Sequence, residues 1–310
     1  MNPAPYAYTS CMVLETAIMA DGSLLQSDGL YFFNRREMND LADRLHEEFK
    51  NAEPFPHVVI DNFFPQNVAE RIGSSFPGIN DIDWKFEGPG DSKHSGDKHI
   101  EKVGTSDEEK FPEFIRFIMM QFQSGIFCKF LDRLTGFEHL APDPSHHGCG
   151  LHSTGSGGRL MLHIDASRHP NKDLNQLINV IYYCSPGWDP EWGGGLELWN
   201  EDATKCVRKV DPIFNRMIVF YTAGRSWHGH PRPVTCPVER RRNSLALYYY
   251  TTDAGISDLD YVNYVQWKAV TEHDKKSVFH MGKSFVRSVL PKPIVNSLAS
   301  VVRNTGLNKK

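Results

Sequence analysis

The sequence predicts an α+β protein in which a jelly roll of antiparallel strands is flanked by helices that lie mainly on its N-terminal side. Three observations carry this reading. Between about residues 150 and 252 the chain runs through RLMLHID, LINVIYYCS, GGLELW, RMIVFYT and NSLALYYYT, short apolar or aromatic runs separated by Gly-, Pro- and Asp-rich turns. No helical pattern intervenes between those runs, which favours two sheets closed over each other, an arrangement that protects strand edges and can hold a ligand between its layers. Upstream, apolar residues recur at helical spacing instead.

Taken in order, REMNDLADRLHEEFKN over residues 36–51 sets Leu41, Leu45 and Phe49 four apart, the stripe of an amphipathic helix lying on a core. PFPHVVIDNFFP then reads as a strand and QNVAERIGSSF as a second helix. Residues 78–110 are rich in Gly, Asp and Lys and carry too little apolar periodicity for a rigid element, so a loop or lid is expected there. From about 112 to 134, Phe114, Ile115, Ile118, Met119, Phe122 and Ile126 repeat at helical spacing and predict a long helical region packed by these residues. The strand series follows. After residue 255 the pattern turns mixed and helical, with Ile294, Leu298 and Val302 on one face of a basic terminal helix. The expected organisation is an N-terminal extension over 1–45, one domain over 46–255 with its jelly-roll core at 149–252, and a helical C-terminal extension over 256–310. Either extension is a candidate contact for a homodimer.

Composition narrows the class. At 310 residues with 40% hydrophobic and 23% charged positions, the chain can bury a full core, and no stretch approaches the roughly 20 apolar residues of a spanning helix. The first residues lack a basic region ahead of an apolar run, so no signal peptide is expected. The six cysteines are scattered without a CxxC pair, which suits reduced thiols and a cytoplasmic location. A net charge of −4 offers no general attraction to nucleic acid or to an anionic membrane.

The chemistry-bearing pattern begins with His163-Ile164-Asp165 at the end of RLMLHID. On a strand, residues two apart face the same way, so an imidazole and a carboxylate converge. Two ligands from one strand and a histidine from a distant strand form the facial triad that suits non-haem Fe(II), with positions left open for O₂ and a co-substrate. RSWHGHP supplies the distant histidine as His228 or His230. In the run beginning Arg242-Asn243-Ser244, alternation puts Arg242, Ser244, Ala246 and Tyr248 on one face. A guanidinium with small neighbours fits a narrow pocket for a buried carboxylate, here the distal carboxylate of 2-oxoglutarate. Arg240 and Arg241 read as an exposed basic turn.

With CGLHSTGSGGRLMLHID, NVIYYCSPGW, WGGGLELW, WHGHP and RRNSLALYYY in this order, the chain resembles the Fe(II)- and 2-oxoglutarate-dependent oxygenases of the prolyl-hydroxylase type, most densely over 149–252. The resemblance implies a double-stranded β-helix of the cupin-like kind. It places iron on His163, Asp165 and His228, in preference to His230, and the C5 carboxylate of 2-oxoglutarate on Arg242 with help from the Tyr183 phenol. Asn179, two residues before Ile181 on the same strand face, is a further candidate for the co-substrate pocket. Gly193, Gly194 and Gly195 match a glycine pair expected to turn tightly beside the site. Fe(II), 2-oxoglutarate and O₂ are the implied cofactors, with ascorbate as a stimulant. The carboxylate of Asp165 favours hydroxylation over halogenation.

Loops carry recognition in such scaffolds, so Trp84, Lys85 and His152 are candidate substrate contacts, with His146 and His147 beside them. A small molecule, amino-acid-like or glycosidic, is the expected substrate, with a peptidyl prolyl-type substrate as the alternative. A non-enzymatic cupin-like binding protein is the competing class.

Overall fold

Asn34 opens the first helix because its side-chain oxygen accepts from the backbone N–H groups of Arg36 and Glu37, donors that otherwise have no partner at a helix start. The computed structural model describes residues 30–86, 102–169, 171–252 and 264–271, together with two dipeptides nearer the N-terminus, β1 (Ala17–Ile18) and β2 (Leu24–Leu25), which pair antiparallel. Helix α1 (Arg35–Asn51) crosses the boundary expected at residue 45. It buries Met38, Ala42 and Phe49, with Leu41 and Leu45 half-buried at the edge of the stripe. Strand β3 (His57–Ile60) and helix α2 (Gln66–Ser75) follow in the order the sequence predicts.

The helical region expected over 112–134 is two helices, α3 (Glu113–Phe122) and α4 (Gly125–Thr135). Ser124 divides them because its hydroxyl caps the second helix by accepting from the Phe127 N–H, a local competitor that apolar spacing does not reveal. The stretch 78–110 also holds regular structure: β4 (Lys85–Phe86), β5 (Lys102–Thr105) and a short 3₁₀ turn over Glu108–Lys110. All four residues of β5 are buried, so this segment is part of the sheet. Residues 87–101 lie outside the described residues.

The remaining strands are β6 (Ala141–Pro142), β7 (Gly150–Thr154), β8 (Leu160–Ile164), β9 (Asn175–Tyr183), β10 (Leu196–Trp199), β11 (Cys206–Val210), β12 (Arg216–Tyr221), β13 (His228–His230), β14 (Arg242–Thr251) and β15 (Gln266–Lys268). They form two antiparallel sheets. The larger runs β3-β12-β9-β14-β7-β5-β4, with β6 also on β14, and the smaller runs β11-β10-β13-β8-β15. This is the jelly-roll architecture with helices against one side. Strand β15 is a finding within the C-terminal extension: Trp267 and Lys268 pair with His163 and Leu162, so this part of the chain completes a sheet where a helical pattern was expected. The terminal helix expected around Ile294, Leu298 and Val302 lies outside the described residues.

Alternation divides the larger sheet cleanly. Leu245, Leu247 and Tyr249 of β14, with Val180 and Tyr182 of β9, face the helices in one continuous core that includes Phe122, Phe127 and Phe130. The opposite face carries Tyr183, Ile218 and Phe220, which pack against Leu196, Leu198 and Val210 of the smaller sheet. Buried polar side chains adjoin this second cluster: His228 lies against Phe220, and Arg242 against Tyr183. Among the described residues no helix is long and apolar enough to cross a membrane.

Candidate active site

Strand β8 delivers His163 near its C-terminal end, and Asp165 follows it. Strand β13 places His228 directly opposite His163, so the two imidazoles meet with ring centroids 4.3 Å apart. Asp165 bridges them: His163 Nε2 lies 3.5 Å from its Oδ1 and His228 Nε2 lies 3.6 Å from its Oδ2. These three side chains form a group whose ligand atoms all fall within 4.8 Å of one another. His230 does not join it.

The backbone fixes which nitrogen each ring offers. His163 Nδ1 lies 2.8 Å from the Met161 carbonyl and His228 Nδ1 lies 2.9 Å from the Ser226 carbonyl. A carbonyl can only accept, so each Nδ1 carries a proton and each Nε2 is the nitrogen turned toward Asp165, the arrangement by which outer partners orient metal-binding histidines. Burial, and then the neighbouring His163, push the His228 imidazole down to about 4, so the ring is neutral at ordinary pH. Burial pushes the Asp165 carboxyl up, but His228, His163 and the Asn179 amide outweigh it and hold the group ionised well below the usual range.

A pair of amides supports that carboxylate. Asn179 Nδ2 donates to Asp165 Oδ2 at 2.8 Å, and Gln176 Nε2 donates to the same oxygen at 3.2 Å and to Asn179 Oδ1 at 2.8 Å. Asn179 therefore faces the same side as Tyr183, as alternation predicts, and its amide is engaged by Asp165. Gln176 was not legible in the sequence. Three residues before Asn179, it would point to the helix side of a regular strand. The β9–β14 ladder slips between Tyr249, opposite Ile178, and Tyr250, opposite Gln176, and this bulge re-aims the side chain inward.

Farther along β14, Arg242 is buried at 4% exposure. Its Nε donates to the Gly194 carbonyl at 2.7 Å, and its Nη2 lies 3.4 Å from the Tyr183 hydroxyl, with the guanidinium carbon 4.9 Å from the Tyr183 ring centroid. Among the described residues no carboxylate pairs with it, although an unpaired buried cation is costly. Gly194 stands at φ +74°, and a Cβ there would come within 2.9 Å of Arg242 Cδ. The glycine run thus makes room for the arginine as well as a turn.

Other expected positions fall elsewhere. Trp84 stacks on Phe76 and donates its indole N–H to the Gly78 carbonyl at 3.0 Å, which occupies it structurally. Lys85 pairs through its backbone with Gly104, and its side chain lies outside what is described. His152 lies in β7 opposite Ser244, on the pocket face of the larger sheet. His146 is buried, its ring 5.5 Å from that of Phe111. Arg240 and Arg241 are more engaged than an exposed turn: Arg240 donates to the Pro186 carbonyl, and Arg241 Nε donates to Ser153 Oγ at 2.7 Å. Two features have no sequence signal. Trp267 of β15 lays its ring 4.9 Å from that of His163. Asp143 gathers Ser145, His147, His169 and Lys172 into one network beside the site.

Residues 149–250 match the model of the 2OG-Fe(II) oxygenase superfamily. A stretch of 99 residues is 27% identical to prolyl hydroxylase EGLN3 of Mus musculus and 26% identical to that of Homo sapiens, covering 32% of this chain and 38% of each relative. The match therefore spans well under half of those proteins. Among solved structures, a Trichoplax adhaerens prolyl hydroxylase in complex with a hypoxia inducible factor peptide fragment aligns at 20% identity with a TM-score of 0.46, covering 69% of this chain and 91% of that one. A prolyl 4-hydroxylase of Phytophthora capsici aligns at 16% identity with a TM-score of 0.49, covering 81% and 75%.

Proposed function

From a chain whose residues 149–250 are a 2OG-Fe(II) oxygenase domain, we infer a dioxygenase that hydroxylates an unactivated C–H bond while 2-oxoglutarate is decarboxylated to succinate. The observation that carries this is the convergence of two imidazole Nε2 atoms and one carboxylate beside a buried arginine that has no anionic partner among the described residues. The donor set fits Fe(II): two imidazoles and one carboxylate are the ligand types of the facial triad and would hold the ion. When bound, Fe(II) supplies the site at which O₂ is activated.

The rest is the work of this chain. His163, Asp165 and His228 hold the metal. Asn179 and Gln176 hold the Asp165 carboxylate in place. Arg242, itself fixed by the Gly194 carbonyl and the Tyr183 hydroxyl, pairs with the distal carboxylate of 2-oxoglutarate and orients its chelating end toward the metal. The apolar layer of Leu198, Ile218 and Phe220 keeps water from the pocket floor.

A small organic molecule, amino-acid-like or glycosidic, is the first substrate class. The 99-residue match to prolyl hydroxylases favours a peptidyl substrate as the second. Succinate and CO₂ formation from 2-oxoglutarate with Fe(II), compared between wild type, Asp165→Ala and Arg242→Ala, tests the reading. Undiminished turnover in either variant removes the role given to that residue. A gain of 16 mass units in a metabolite extract or in a peptide library, dependent on 2-oxoglutarate, decides between the substrate classes.

A further inference from the structure

His230 is a buried polar side chain that the site described so far does not use. It is 3% exposed, and among the described residues neither Nδ1 nor Nε2 has a hydrogen-bond partner. Each orphaned buried polar atom costs about 1–3 kcal/mol, so a side chain with two of them is poorly explained as packing. Its placement is specific. His230 lies two residues beyond His228 on β13, opposite Leu160 of β8, and the Gly229 between them sits where a Cβ would come within 2.7 Å of the Met161 carbonyl. The strand is therefore pressed close to β8, and both histidines are buried in the space between the sheets.

The basic and titratable side chains that bear on His230 are Arg242, Lys102, His163 and His152. The register of the facing sheet explains this set. Arg242 of β14 and Lys102 of β5 both lie opposite Thr154 of β7, so the three occupy one row on the same sheet face. His152, two residues before Thr154, lies in the adjacent row with Ser244 and Tyr183 on that face. His230 is on the smaller sheet, within electrostatic reach of this basic row.

We propose that His230 is a binding residue for the distal carboxylate of 2-oxoglutarate, donating an imidazole N–H to the anion that Arg242 pairs with. This extends the anion-binding set to a residue of the smaller sheet and accounts for a side chain that otherwise stands unsatisfied. It rests on the oxygenase reading.

The test is a titration of the anaerobic Fe(II) protein with 2-oxoglutarate, followed by the visible charge-transfer band of the chelate. It compares wild type, His230→Leu and His230→Gln. A parallel series uses 2-oxopentanoate, which keeps the chelating end but carries a methyl group where the distal carboxylate stands. The expected result is a loss of about tenfold or more in 2-oxoglutarate affinity for His230→Leu, the size of one hydrogen bond to a charged group. His230→Gln, which keeps a donor, retains affinity within about threefold. Binding of 2-oxopentanoate and Fe(II) affinity stay unchanged in both. Undiminished 2-oxoglutarate affinity in His230→Leu overturns the proposal, as does an equal loss for both oxoacids or a Gln variant as weak as Leu. A wild-type protein that develops no band with Fe(II) and 2-oxoglutarate instead overturns the oxygenase reading itself, and the proposal with it.

Discussion

Replacing Asn179 with alanine separates a residue that supports the metal from one that binds the co-substrate. The substitution removes a 2.8 Å N–H···O bond to the ionised Asp165 and leaves Gln176 Nε2, at 3.2 Å, as the remaining amide donor to that carboxylate. A hydrogen bond to a charged group contributes about 1.5–3 kcal/mol, which is about 10- to 150-fold in a dissociation constant. Gln176 also loses its own acceptor, Asn179 Oδ1, and is free to close on Asp165, so the expected loss sits at the lower end. We expect Fe(II) affinity to fall about tenfold in Asn179→Ala and about a hundredfold in the double variant Asn179→Ala/Gln176→Leu, within the range of outer-partner substitutions at metal sites. Calorimetric titration with Fe(II) under anaerobic conditions measures it. With metal saturating, the 2-oxoglutarate affinity of Asn179→Ala should stay within about twofold of wild type, because the amide contacts the ligand Asp165. Unchanged Fe(II) affinity together with weakened 2-oxoglutarate binding would refute this reasoning and return Asn179 to the co-substrate pocket.

Three further substitutions probe the surroundings. Arg242→Ala should weaken 2-oxoglutarate binding about a hundredfold, the worth of a charge-assisted pair, while leaving Fe(II) binding intact; equal affinity in the charge-transfer titration refutes the assignment. Gly194→Ala forces a Cβ to within 2.9 Å of Arg242 Cδ at a residue with φ +74°, so we expect a loss of about 1–3 kcal/mol, seen as a lower midpoint in thermal unfolding, together with weaker 2-oxoglutarate binding. Asp143→Asn should destabilise by about 2 kcal/mol, less than a wholly buried pair because Lys172 keeps 38% exposure. For the same group, burial pushes the carboxyl up, but Lys172, Ser145 and His169 outweigh it and hold it below its usual range. A lowered carboxyl contributes stability that is present above its unfolded value and lost as pH falls through the folded one. Wild type should therefore lose stability below about pH 4 by a margin that Asp143→Asn does not show in pH-dependent unfolding.

Much of this protein is local information. The alternation of Leu245 and Leu247 against Arg242 and Ser244 assigns the two faces of β14, because a strand has a period of two and one side of it must be apolar. The spacing His163-x-Asp165 puts two donors together for the same reason, and the helical stripes that include Phe49 and Phe114 are visible at period 3.6. These patterns are written within a few residues of each other, and a linear reading recovers them.

What the tertiary structure decided lies between segments distant in the chain. The register that sets His228 opposite His163 brings its ring into one cluster with His163 and Asp165. Gln176 reached Asp165 only through a bulge, and β5 and β15 became strands because neighbouring strands offered hydrogen-bond partners to weakly patterned residues. The Arg242 carbon chain found its place because Gly194, on a separate turn, has no side chain. Sequence periodicity determines which way a side chain points from its own strand. Which group it then meets depends on pairing register and close approach, and these are settled only when the two sheets fold onto each other.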